Sequence, residues 1–261
     1  GVAYYLVPDF SKFSPDLVIN ALGQMFYSLS LAMGIMVTYG SYMRRKDSLP
    51  NSVANIAGFD FGVSFLAGLM IVPAAYVAMG SAEAVAAKAG PSLMFITLPE
   101  VFNSMSPTIG TIIGFVFFLL VLFAALTSAI SLTEALVSIV ADGTGLSRRL
   151  SLIICMVFIV VVGIIVNAGY NVFSAVQPLG EGSTILDFFD FISNSVLMPI
   201  VAILTCIFVG WIVKPKVLVD EVKESSEFKA EKAWVVMVKY IAPLLVALIL
   251  ISNILPYFVG A

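Results

Sequence analysis

The sequence predicts an all-helical membrane protein, and three observations predict it. Of its 261 residues 61% are hydrophobic and 11% charged, whereas a soluble domain carries roughly a quarter charged residues. The mean hydropathy is +1.08. A bilayer core about 30 Å thick calls for roughly 20 apolar residues per helix, and six stretches free of Asp, Glu, Lys and Arg reach that length. They run over residues 17–43, 61–82, 101–133, 150–180, 191–213 and 240–261.

Taken in chain order, residues 1–15 mix aromatics with Pro8, Asp9, Ser11, Lys12 and Pro15, a pattern that suits an interfacial loop at the headgroups. The first span, about 17–43, holds Gly23, Ser28, Ser30 and Gly34 near its middle, where small and hydroxyl residues weaken a continuous helix. In the second span, about 51–80, Asp60 sits ten residues beyond Pro50, roughly 15 Å along a helix. A central Asp costs about 2.5–3.5 kcal/mol on insertion scales, so an ion, a proton or a polar partner is expected beside it.

Residues 81–107 are too polar and proline-marked to span, yet carry Phe95, Ile96, Leu98, Val101 and Phe102, and so predict an outer helical lid. The third span, about 108–141, is longer than a bilayer requires and should tilt. Its inner half holds Thr127, Ser128, Ser131 and Thr133 and closes with Glu134 and Asp142. The fourth (149–168), fifth (186–213) and sixth (233–259) spans complete one transmembrane domain, 1–261, with a short charged linker from Lys214 to Lys232. Asp187 and Asp190 precede the fifth span, at a helix N-terminus that favours anions.

The cations set the orientation. Arg44, Arg45 and Lys46 follow the first stretch, Arg148 and Arg149 the third, and Lys214, Lys216, Lys223, Lys229 and Lys232 the fifth, whereas the intervening connections hold only Lys88. The positive-inside rule therefore puts the rich loops in the cytoplasm. Cys155 and Cys206 fall inside apolar stretches and are expected as small buried thiols. The chain opens Gly-Val-Ala without initiator Met or cleavable signal pattern, and is expected to be a fragment. With no His, no Cys-His or Ser-His-Asp set and no phosphate loop, an enzyme finds no support.

At Gly23-Gln24-Met25-Phe26-Tyr27-Ser28-Leu29-Ser30-Leu31, followed by Thr38-Tyr39-Gly40-Ser41-Tyr42, the sequence resembles helix six of the neurotransmitter:sodium symporter family. Phe95-Ile96-Thr97-Leu98-Pro99 resembles that family's fourth extracellular loop, Ala124-Ala125-Leu126-Thr127-Ser128 its helix eight, and Leu146-Ser147-Arg148-Arg149 the turn into helix nine. These motifs run in the family's order along nearly the whole chain. The resemblance implies the second five-helix repeat of an inverted-repeat, leucine-transporter-like fold plus one further transmembrane helix. By that reading the chain holds helices six to eleven, and helices one to five, its missing N-terminal half, would be the partner that completes each site.

The resemblance also assigns residues. Ser28 and Asp60 match one sodium site; Ala124 by its carbonyl, with Thr127 and Ser128 by their hydroxyls, match a second. Oxygen donors suit sodium as they suit other hard cations, although hydroxyls in membrane helices also serve packing. Tyr27, Ser30, Met33, Ser128, Ser131 and Leu132 match the pocket for the substrate side chain, whose apolar walls and few hydroxyls suit a hydrophobic or neutral amino acid. Tyr42 and Asp142 match inner gate residues, Asp190 an outer gate acid and Phe95 the outer lid, with Gln24 near the outer gate. Many family members have Asn where Asp60 stands and use chloride to balance sodium. A carboxylate supplies that charge itself, so transport without chloride is expected, although Ser64 resembles the chloride-dependent members.

The expectation is a sodium-coupled symporter of a small amino acid, multi-pass in the plasma membrane, with no nucleic-acid partner and no enzymatic step. The competing expectation is a transporter-like module that binds ligand, or assembles, without translocation.

Overall fold

The computed structural model describes residues 1–87 and 93–259. Lys88 and positions 88–92 of the expected lid lie outside the described residues, as do the last two positions of the sixth stretch. The helices, in chain order, are α1 (Val2–Leu6), α2 (Pro15–Ser28), α3 (Ile35–Ser41), α4 (Leu49–Met79), α5 (Ala82–Ala87), α6 (Leu98–Asn103) and α7 (Pro107–Thr144). There follow α8 (Arg148–Ala168), α9 (Ile185–Asp190), α10 (Met198–Ile207), α11 (Pro215–Ser225), α12 (Glu231–Val236) and α13 (Ala242–Val259). Wider π-helical turns at Phe191–Leu197 and Phe208–Ile212 join α9 to α10 and extend it, and one at Met237–Ile241 joins α12 to α13.

Five helices among the described residues are long and apolar enough to cross a membrane: Leu49–Met79, Pro107–Thr144, Arg148–Ala168, Ile185–Ile212 and Glu231–Leu255. The expected first span is broken into α2 and α3, as its small and hydroxyl residues foretold. Large apolar side chains stand outward along the long helices, among them Phe115 (69% exposed), Leu120 and Phe158. Such an apolar surface marks a membrane-facing protein, because lipid rather than water is its solvent.

The chain divides into two compact units. The first comprises Gly1–Phe13 and Asn55–Ala129. Its N-terminal stretch, expected as a loop, forms α1 and a single 3₁₀ turn, Phe10–Lys12. Tyr4 stacks on Tyr76 at 5.0 Å and the Tyr5 hydroxyl donates to the Phe65 carbonyl at 3.2 Å, so rings from α4 give this short helix the partners it lacks by itself. Asp9 caps the turn by accepting from the Ser11 hydroxyl (2.6 Å) and amide (3.1 Å), which holds its carboxyl below the usual range. The lid region is helical as expected. Leu98 and Val101 are buried, Phe102 packs on Phe117 at 5.5 Å, and a Cβ on Gly110 would collide with the Phe102 carbonyl.

The second unit comprises Ser14–Ala54 and Ile130–Ala261. Ser14 caps α2 by accepting from the Leu17 amide at 3.2 Å, with Pro15 at the first helical position. Such a cap satisfies an amide that the helix itself leaves without a partner. Thr184 and Asp187 form a reciprocal capping box at the start of α9. The α13 helix packs against α10 and α2.

The fourth stretch is charge-free to Gly180, while α8 ends at Ala168 and turns follow, in which Gly180 and Gly182 take φ of 105° and 84°. Freedom from charge allowed a span there; glycine and asparagine ended it. The stretch from Lys214 to Lys232 is no plain linker, since α11 occupies its first half. Pro215 starts that helix and, with Val219 one turn on, is buried, so one apolar face holds it down.

Candidate functional site

The break between α2 and α3 is the most distinctive local feature. After Ser28 the amides of Leu29, Ser30 and Leu31 still bond back to Met25, Tyr27 and Phe26, and regular helix resumes at Ile35. Ser30 (φ 54°), Ala32 (φ 61°) and Gly34 (φ 78°) all lie in the left-handed region. For the two residues with a Cβ this costs about 1–2 kcal/mol each, a strain that persists only where surroundings over-determine it and that clusters at ligand clamps. Geometrically, the break turns backbone carbonyls off the helix axis in the middle of an apolar stretch. Tyr27 and Ser28 close α2, and Ser30 and Met33 lie within the break itself.

The second set lies on α7. At about 100° per residue, Ala124, Thr127, Ser128, Ser131, Glu134 and Ser138 fall within about 120° of the helix circumference and form one polar stripe. Leu132 borders it. The Thr127 hydroxyl donates to the Phe123 and Ala124 carbonyls, each at 3.0 Å. A hydroxyl that donates backward can still accept, so this bond does not by itself exclude a ligand role.

Along the inner half of that stripe α3 and the residue that caps its C-terminus supply two tyrosines, Tyr39 and Tyr42. The Tyr39 and Ser131 hydroxyls lie 2.6 Å apart. Tyr42 donates to Glu134 Oε1 and lies 3.3 Å from Ser138 Oγ. Arg148, at the start of α8, donates from Nη2 to Glu134 Oε2 at 2.6 Å. Glu134 therefore receives a phenol and a guanidinium at once and ties α3, α7 and α8 together. Of the two inner gate residues expected from sequence, Tyr42 belongs to this cluster, while Asp142 lies exposed two turns further along α7. Glu134, Arg148 and Tyr39 were not singled out from sequence as site residues. An acid late in an apolar stretch with arginines 14 and 15 residues on was the available signal.

Asp190, the acid expected from sequence at an outer gate, ends α9, and the side-chain amide of Asn194, one turn on in the π-helical segment, donates to its Oδ1. Asp190 and Asn194 line a cavity of about 400 Å3 together with Gln24 and Tyr27 of α2 and Asn253 of α13. Phe95 stacks on Phe118 of α7 at 6.1 Å and is 60% exposed. Asp60 lies on α4, eleven residues beyond its first, and is half-buried. Cys155 is buried and Cys206 half-buried, both as free thiols.

A helix broken at left-handed residues, a hydroxyl stripe on a long apolar helix and an acid part-way along another belong to a chain with five helices able to cross a membrane. The family model for the sodium:neurotransmitter symporter family matches residues 1–259, and the chain belongs to that family. Its relatives are transporters and not enzymes. It is similar, at 34% identity over 97% of its length, to a sodium-dependent transporter of Haemophilus influenzae, of which it covers 54%. A Bacillus subtilis sodium-dependent transporter is 34% identical over 97% of the chain and covered to 55%, and the Drosophila melanogaster sodium-dependent serotonin transporter 27% identical over 98%, covered to 40%. The crystal structure of MhsT in complex with L-phenylalanine superposes with a TM-score of 0.81 at 33% identity, over 97% of this chain and 55% of that one. The chain thus spans about half the length of these bacterial relatives, and its fold is the leucine-transporter-like one.

Proposed function

We propose that this chain forms the second-repeat part of a sodium-coupled symporter for a small hydrophobic or neutral amino acid in the plasma membrane. The observation that carries the reading is the strained break at Leu29–Gly34 between α2 and α3, with left-handed Ser30 and Ala32 inside a stretch that is otherwise apolar. A cation stripped of water demands carbonyl and hydroxyl oxygens, and a stretch opened at left-handed residues has backbone carbonyls outside regular helix to offer.

In this reading Ser28 and Asp60 donate oxygens to one sodium ion, and Ala124, Thr127 and Ser128 to a second. The donor chemistry fits, since every group is a hard oxygen and only Asp60 carries charge. Tyr27, Ser30, Met33, Ser128, Ser131 and Leu132 receive the substrate side chain. That set offers no carboxylate to a cationic side chain, and the L-phenylalanine bound by MhsT is of the class it suits. Asp60 supplies the negative charge that chloride supplies elsewhere, so chloride is not required. Sodium favours the outward-facing state and substrate completes the site, so both move inward together. Asp190 and Phe95 serve as the outer gate, and Tyr42 and Asp142 as the inner one, each a latch that breaks and reforms.

The deciding experiment is uptake of radiolabelled L-phenylalanine and L-leucine into proteoliposomes holding the full-length protein, with and without an inward sodium gradient. Accumulation only with the gradient is expected. Saturable binding without accumulation would instead establish a non-translocating binder.

A further inference from the structure

The connection between the last two spans holds a cavity of about 500 Å3 outside the proposed transport pathway, lined by Trp211, Lys214, Lys216, Val219, Glu231 and Lys239 among others. Its position follows from the helices around it. One span ends at Ile212 and the next begins at Glu231, so the cavity sits where apolar helix gives way to charged chain, on the side that the distribution of cations assigns to the cytoplasm.

Three local features build it. Gly210 is buried, and a Cβ there would meet Lys239 Cγ at 3.2 Å, so the glycine lets the Lys239 stem cross closely over Phe208–Ile212. The stem lies along apolar surface while the ammonium reaches the edge, 5.5 Å from the Trp211 ring centre. Trp211 in turn meets Tyr240 edge-on at 5.8 Å, a pair typical of the headgroup level. The chain then reverses at Lys214, held at φ 69°, directly before the first turn of α11. That strained reversal places Lys214 and Lys216 on the same cavity as Lys239, beside the positive end of an eleven-residue helix.

The charges do not cancel. Glu231, the acid on the wall, is paired with Lys223 at 2.6 Å, and Lys229 lies 3.7 Å from Glu227. Among the described residues, no carboxylate comes within ion-pair distance of Lys214, Lys216 or Lys239. Exposed apolar side chains follow the lining residues in sequence, Ile212 after Trp211 and Val236 and Met237 after Val235. A phosphate among ammonium groups with hydrocarbon continuing down an apolar face is the chemistry of one ligand class.

We propose that this cavity binds the phosphate headgroup of an anionic phospholipid, held by Lys214, Lys216 and Lys239, with its acyl chains on the apolar face of Ile212, Val236 and Met237. Full-length protein in detergent is titrated with phosphatidylglycerol and, separately, with phosphatidylcholine, and bound lipid is counted by native mass spectrometry. Phosphatidylglycerol is expected to bind in preference, with affinity falling roughly five-fold per lysine removed in Lys214→Gln, Lys216→Gln and Lys239→Gln. The arginine variants retain it, and Lys229→Gln with Lys232→Gln, outside the cavity, changes nothing. If the lysine at the helix crossing cannot be replaced without unfolding, the surface pair Lys214→Gln and Lys216→Gln carries the same test. Equal binding of phosphatidylcholine, equal loss in the outside pair, or displacement of lipid by inorganic phosphate at matched concentration would each overturn the proposal.

Discussion

The Tyr39 hydroxyl lies 2.6 Å from Ser131 Oγ, joining α3 to the polar stripe of α7 across 92 residues of sequence. It couples the helix that follows the break to a hydroxyl proposed to face substrate. A net hydrogen bond contributes about 0.5–1.5 kcal/mol. Tyr39→Phe is therefore expected to raise the KM for amino acid by roughly two- to ten-fold with the sodium requirement unchanged. Uptake kinetics at saturating sodium check this, and an unaltered KM would detach Ser131 from substrate.

Glu134 accepts from Tyr42 and from Arg148 together, and groups that share one carboxylate do not act independently. In a double-mutant cycle, Tyr42→Phe combined with Glu134→Gln should depart from the sum of the single changes by about 0.5–3 kcal/mol. Thermal unfolding of the detergent-solubilised protein reads the coupling. Arg148→Lys should recover part of what Arg148→Gln loses, since it keeps the charge without the guanidinium fork.

The left-handed backbone at Ser30 gives a prediction of opposite sign. Glycine adopts that conformation without the Cβ penalty, so Ser30→Gly should leave thermal stability equal or raise it by about 1 kcal/mol, while Ser30→Val lowers it. Both outcomes are read as melting temperatures. A stabilising valine would mean that the break is absent in the folded transporter.

Thr127 is expected to act through its oxygen. Thr127→Ser should keep sodium affinity, whereas Thr127→Val, which preserves shape and loses the hydroxyl, should raise the sodium concentration for half-maximal uptake by about ten-fold or more, as loss of a polar contact to a charged group, about 1.5–3 kcal/mol, does. Sodium titration of uptake separates this from a packing role, in which valine would serve as well.

Asp60 carries the chloride prediction. Replacing chloride by gluconate should leave uptake unchanged, and Asp60→Asn should make the same uptake depend on chloride, because the site then lacks its fixed negative charge. Collapse of wild-type uptake in gluconate would remove the proposed role of Asp60 as the counter-charge.

Much of the fold was legible beforehand because the bilayer imposes its length scale directly on the chain. Long helices run over Leu49–Met79, Arg148–Ala168 and Ile185–Ile212, where the sequence is apolar enough and the helix long enough to cross a membrane. The break in the first stretch was visible too, in Gly23, Ser28, Ser30 and Gly34. What escaped depended on partners. The sequence shows α1 as a polar and aromatic loop because Tyr76 and Phe65 are sixty and more residues away; it shows α11 as a linker because only packing reveals that Pro215 and Val219 are buried.

By itself, then, the amino-acid order determined that this protein lives in a membrane, crosses it in long helices, breaks one of them at small and hydroxyl residues, and sets oxygens along another. Those properties are local, each dictated by the cost of charge or open backbone in hydrocarbon. Only the tertiary structure decided that Glu134 gathers Tyr42 and Arg148 and that Tyr39 meets Ser131. A hydrogen bond forms over about 3 Å, and which side chains come that close is settled by how helices pack, not by their spacing along the chain.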